Sequence, residues 1–172
     1  MHRVIVPFVA VAITLSLWSV SAIAQTGTPA PSGITGVQVE TLGRGASMAA
    51  PGYTLQLIRL TFAPGGRIAM HSHPGDAVFY VESGTIGWTT GSGTPMLTRA
   101  GTGTAVAGSP VPTEPLTAGA EVLLQAGDAV FYDQEATHDV RNTGSEPAVV
   151  LYSALRAADQ PGISFIEGTP AP

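Results

Sequence analysis

"PGGRIAMHSHPGDAVFYVESG", residues 64–84, holds two histidines one residue apart. On a β-strand residues i and i+2 face the same side, so His71 and His73 can offer two imidazoles to one ion from a single strand. Alternating Val78, Phe79, Tyr80 and Val81 predict a strand soon afterwards, with Pro74-Gly75 as the break between them. A second stretch, "AGDAVFYDQEATHDVRN", residues 126–142, has the same grammar: a short apolar strand, an acidic turn, then a strand opened by His138. That strand could deliver a third imidazole from across a barrel. Apart from His2 these are the only histidines in the chain, and Asn142 is its only asparagine.

Working outward, short β-branched and aromatic runs alternate with Gly, Pro and Asp, which is the all-β pattern. The runs expected as strands are 37–42, 53–62, 67–71, 78–81, 85–89, 96–98, 122–124, 129–132, 138–142 and 148–154. No segment of helical length keeps a 3.6-residue period without Gly or Pro interrupting it. Many short strands with close turn signals predict a sandwich or barrel in one domain, residues 37–158. Residues 25–36 read as a flexible linker, rich in Gly, Pro and Thr. Residues 90–120, poor in large apolar side chains, read as one long loop. The tail, 159–172, lacks periodicity, although Ile163, Phe165 and Ile166 could dock as a last short strand.

The first 24 residues read as a secretory signal peptide: Arg3, an apolar run from Val4 to Val20, and Ala22-Ile23-Ala24 as the cleavage signal. Cleavage after Ala24 would place the protein in the periplasm or outside the cell, with no membrane attachment. The chain has no cysteine, which excludes disulfides and thiol chemistry, and no lysine, which excludes Schiff-base chemistry. Seven scattered arginines against twelve acids leave a net charge of −5 and no basic patch, arguing against nucleic acid as a partner.

The two histidine stretches together resemble the two motifs of the cupin superfamily. The first runs Gly, five residues, His-x-His, a Glu, then a closing Gly; Gly65, His71, His73 and Gly84 fit it, but Ala77 stands at the Glu position. The second runs Gly, five residues, Pro-x-Gly, two residues, His, three residues, Asn; Gly127, His138 and Asn142 fit it, with Asp133 and Glu135 replacing the turn Pro and Gly. The resemblance covers about the central hundred residues. It implies a cupin-type jelly-roll β-barrel, all-β, often a homodimer, with a metal or ligand site in its mouth.

Within that resemblance His71, His73 and His138 become metal ligands. Three neutral nitrogens without a carboxylate suit Fe, Zn or Cu better than Mn. Asp76, Asp133 and Glu135 are the acids placed to replace the lost Glu, although turn acids are commonly solvated. Asn142 and Tyr80 are candidate supports for the ligands, Trp88 reads as packing, and Arg67 and Arg141 are candidate holders of an anion. Two functions compete. One is a metal-dependent enzyme of the three-histidine oxygenase type; the other is a non-catalytic small-molecule-binding barrel with a vestigial metal site.

Overall fold

The computed structural model describes residues 33–102 and 110–166. The stretch expected to be a signal peptide, most of the expected linker and the last six residues lie outside the described residues. The described residues form eleven strands: β1 Ile34–Ala46, β2 Tyr53–Ser72, β3 Gly75–Ser83, β4 Thr85–Ser92, β5 Met96–Thr98, β6 Glu114–Pro115, β7 Glu121–Gln125, β8 Ala129–Tyr132, β9 Thr137–Asn142, β10 Ala148–Ala157 and β11 Ser164–Phe165. No helix occurs among the described residues. The sheet order is β6-β5-β8-β3-β10-β2-β9-β4-β7, with β1 and β11 also paired to β2, and the strand pairings are antiparallel. This is the curled, all-β architecture that the alternating pattern predicts.

Alternation decides which side chains face inward. In β3, Gly75, Ala77, Phe79 and Val81 are buried while Asp76, Val78, Tyr80 and Glu82 are exposed. In β10, Ala148, Val150, Tyr152, Ala154 and Arg156 form the buried set. The core gathers Phe62, Phe79, Trp88, Tyr132, Ile86, Leu97 and Leu124 with smaller aliphatics from the same inward positions.

The strand β2 organises the barrel and departs from expectation. Pro64-Gly65-Gly66 does not separate two strands; β2 bends through it with Gly65 at φ +71° and continues to Ser72. The strand β1 pairs along both halves, β10 pairs with the first half, and β9 and β11 pair with the second. Gly66 is required at the bend, because a Cβ there would sit 2.5 Å from the Gly36 carbonyl oxygen on β1. The strand β1 starts at Ile34, so Ile34, Thr35 and Gly36 are sheet where composition predicts linker; Ile34 pairs with Ile68 and Thr35 with Arg67 on β2, with Gly36 at a register shift, and this pairing overrides local flexibility.

Residues 90–120 are likewise not one loop. The strand β4 runs on to Ser92, β5 falls at 96–98 as expected and pairs with β8, β6 pairs with β5, and Thr90 bridges Ala118. Leu97 and Leu116, both buried, anchor this stretch, and two isolated leucines are too few to show as a period in sequence. Residues 103–109 of that stretch lie outside the described residues. Buried Asp128 ties the region down, accepting from Ala100 N at 2.8 Å, Gln125 N at 3.0 Å and Arg99 Nη1 at 3.0 Å.

Asn142 has a role in the fold rather than at the histidines. Its buried Nδ2 donates to the carbonyls of Phe62, Ala63 and Glu146, and its Oδ1 accepts from Gly144 N at 2.8 Å. It thereby clamps the β9–β10 turn to the end of β2's first half. Asn142→Ala strands buried carbonyls and should destabilise the protein by about 1–3 kcal/mol in urea titrations, with the imidazoles undisturbed.

Candidate metal centre

His71 sits near the end of β2, His73 just beyond it, and His138 on β9. The strands β2 and β9 are neighbours, and His71 pairs directly with His138 across the ladder. The third imidazole therefore arrives from the adjacent strand, not from across the barrel. Ring centroids are 4.3 Å apart for His71 and His138, 4.8 Å for His71 and His73, and 5.4 Å for His73 and His138. One ligand nitrogen from each ring lies within 4.8 Å of the other two, the spacing of a site that could hold a metal ion.

Backbone carbonyls orient two of the rings. His71 Nδ1 lies 2.8 Å from Ala69 O, and His73 Nδ1 lies 2.8 Å from Gly162 O. A carbonyl only accepts, so each Nδ1 carries the proton and each Nε2 keeps a bare lone pair. The Tyr152 hydroxyl also approaches His73 Nδ1, at 3.1 Å. His138 is held by stacking: its ring lies 4.2 Å from the Trp88 ring at 12°, and the Trp88 Nε1 donates to Thr90 Oγ1 at 3.0 Å. Trp88 is thus packing, as read from sequence, and the surface it packs is the His138 ring.

Burial shapes the electrostatics. It pushes His71 down to about 3, with the charge of His73 adding to the effect, and pushes His73 down to about 4. His138 falls well below its ordinary value for the same first reason, then through His71 and His73. All three imidazoles are neutral at pH 7, the protonation state a metal ligand needs. The unfolded chain titrates these rings near 6.5, so between about 4 and 6.5 it binds more protons than the folded chain. Chelator-treated protein should therefore lose stability as pH falls below 6.5, by up to about 1.4 kcal/mol per pH unit for each histidine; urea midpoints at pH 7.5 and 4.5 measure it.

The fit to a metal rests on the donors themselves. Two bare Nε2 atoms converge with a third buried ring whose Nδ1 has no hydrogen-bond partner among the described residues. The Tyr132 hydroxyl beside it, on a ring 4.6 Å from His138, is equally buried and unpartnered. Orphaned buried donors and acceptors are costly, and a bound ion with its own ligands is one explanation for them.

Among the described residues, no acid joins the three histidines. Ala77 is buried on the inner face of β3, paired with Tyr132 and Ala154. Asp76 is on the outer face and exposed, because Gly75 lies against the β10 backbone without re-aiming its neighbour. Asp133 and Glu135 are also exposed, and with Asp76 they line a separate surface depression. All three acids are solvated. Tyr80 is exposed and points away from the site. Arg67 is bound to Asp139 at 2.6 Å and Arg141 to Glu121 at 2.6 Å, so neither faces the histidines as a free cation.

The histidines line a cavity of about 290 Å³. Its walls are mostly apolar, including Ile58, Leu60, Ile68, Phe79 and Val140, with Tyr132, Tyr152, Gln56 and Arg156 as the polar members. The C-terminal tail closes one side: Ser164 and Phe165 pair with Ser72 and His71, and Gly162 and Ile163 join the lining. Sequence reading placed the tail strand but missed Tyr152, Gln56 and Arg156. The signal was present, since period two from Val150 puts Tyr152, Ala154 and Arg156 on the core face.

No protein-family model matches the sequence, and no curated protein does. Among solved structures, a double-stranded β-helix protein from Klebsiella pneumoniae superposes with a TM-score of 0.51 at 18% identity, covering 81% of this chain and 90% of that one. A cupin superfamily protein from Desulfitobacterium hafniense gives 0.46 at 12% identity over 70% of this chain and 77% of its own. The oxalate decarboxylase of Lactobacillus farciminis gives 0.44 at 18% identity over 65% of this chain, which spans 26% of the decarboxylase's length. With its antiparallel strands curled into one sheet, the chain has the double-stranded β-helix fold that the Klebsiella pneumoniae protein shows.

Proposed function

We propose that the protein binds a divalent transition metal through His71, His73 and His138 and acts on a small molecule held in the cavity they line. The observation that carries this reading is the meeting of three neutral, buried imidazoles on the wall of an otherwise apolar cavity. Three nitrogen donors and no carboxylate favour Fe(II), Zn(II) or Cu(II) over Mn(II). When bound, such an ion supplies a Lewis-acidic centre with coordination positions left open, the arrangement that three-histidine oxygenases use.

The chain's own residues do the rest. The Ala69 and Gly162 carbonyls fix the tautomers of His71 and His73, and Trp88 fixes the plane of His138. The aliphatic walls and the tail strand exclude water, which strengthens every polar contact made inside. The Tyr152 hydroxyl, raised above its ordinary value by burial, stays protonated beside His73. Ala77 favours a second reading, a non-catalytic ligand-binding barrel, because nothing acidic among the described residues reaches the histidines to serve as a base.

Elemental mass spectrometry tests the proposal. Wild type and His138→Ala, untagged, are supplemented in turn with Fe, Mn, Zn, Cu and Ni. Near-stoichiometric metal in wild type and its loss in the variant is the expected result; no metal in either leaves the ligand-binding barrel. The same reading takes residues 1–24 as a leader removed on export, so the intact mass of protein recovered outside the cytoplasm should correspond to a start at Gln25.

A further inference from the structure

Arg156 is the last member of β10's inward-facing set, following Val150, Tyr152 and Ala154. It is only 8% exposed and lines the histidine cavity. Its Nε donates to Gln56 Oε1 at 3.2 Å, and its Nη1 donates to the carbonyls of Ala157 and Gln160. Every one of these partners is neutral. Among the described residues no carboxylate lies within 4.0 Å of the guanidinium, whereas Arg59, Arg67, Arg99 and Arg141 each have one. A buried cation is costly unless an anion meets it, and nothing described in the chain supplies that anion.

We infer that Arg156 is the anion-recognition residue of this cavity, and that the small molecule held there is an organic carboxylate with an apolar body. Its Nε and Nη1 are engaged by neutral acceptors, which leaves Nη2, without a hydrogen-bond partner among the described residues, to meet a carboxylate oxygen. The other polar groups on the walls, Gln56, Tyr132 and Tyr152, are few, while Ile58, Leu60 and Val140 offer a surface for hydrocarbon. That balance suits a two-oxygen head group with an aliphatic tail better than a phosphoryl group, whose three or more oxygens would need more donors. A cavity of about 290 Å³ lies at the small end of ligand sites, so the tail is short. The inference rests on the reading of this cavity as a ligand site, but not on the metal.

Isothermal titration calorimetry on chelator-treated protein, with butyrate, hexanoate and octanoate as probes, tests it. Hexanamide serves as the uncharged control and inorganic phosphate as the competing anion. Saturable binding of at least one carboxylate to wild type is expected, weakened about ten- to a hundredfold in Arg156→Gln and for the amide. A second variant guards against loss of structure in the first. Gln56→Glu places a carboxylate beside the guanidinium, retains the arginine and should keep the fold, yet should abolish carboxylate binding. No carboxylate binding to wild type, equal binding of acid and amide, tighter binding of phosphate, or unchanged binding in a folded Arg156→Gln would each overturn the assignment. Metal content measured on the same variants should equal that of wild type, so failure of the metal site and failure of the carboxylate site are read separately.

Discussion

Trp88→Ala should destabilise the protein by about 3–5 kcal/mol, the range for removing a fully buried large aromatic. Trp88 is wholly buried on β4 and packs against rings from three strands, with centroid distances of 5.4 Å to Phe79 edge-on, 5.4 Å to Tyr132 and 4.2 Å to the His138 face. Alanine would leave a cavity among β3, β8 and β9 and would deprive Thr90 Oγ1 of its buried donor. It would also release the His138 ring, which has no hydrogen bond at Nδ1 to hold it. Urea unfolding followed by circular dichroism measures the first effect. Metal content of the folded fraction measures the second, and should fall although no ligand has been touched. Trp88→Phe should cost less and retain most of the metal, because an aromatic face still backs the imidazole. A Trp88→Ala protein as stable as wild type would mean that the core collapses around the gap.

The second large effect is expected from the metal itself. Only the folded chain brings His71, His73 and His138 together, so an ion that binds there stabilises the folded state by mass action. At about a thousand times its dissociation constant the gain is about 4 kcal/mol, or roughly 8–16 °C in the melting midpoint of a domain this size. Thermal scans of chelator-treated wild type with added Zn(II) should show this rise. His138→Ala should show little of it, since two imidazoles from β2 and its extension remain but the third donor is gone. The gain should persist as pH falls through 6.5 and shrink only towards about 4, because burial keeps the folded rings neutral and free of competing protons until then. An equal shift in wild type and variant would place the binding elsewhere on the chain.

Much of this was readable from residue order because strands have a fixed period. Alternation in Val78–Val81 and Ala148–Ala154, and the His-x-His spacing, put side chains on faces without any knowledge of the partner strands. The sequence by itself thus determined the all-β class, the identity of the three imidazoles and the solvated character of the turn acids. It could not determine neighbours. That β2 runs unbroken through Pro64-Gly65-Gly66 follows from its pairing with β1, β10 and β9, contacts between residues up to about a hundred positions apart. The same long-range pairing sets His138 beside His71, lays Trp88 against the third imidazole, and draws Leu97 and Leu116 out of a stretch that looks like loop. Arg156 is the sharpest case. Period two already assigned it to the inner face, but an isolated arginine in sequence is usually a solvated one. Only the curled sheet, with Gln56 on the neighbouring strand and no acid among the described residues within reach, turned it into a buried cation facing the histidine cavity.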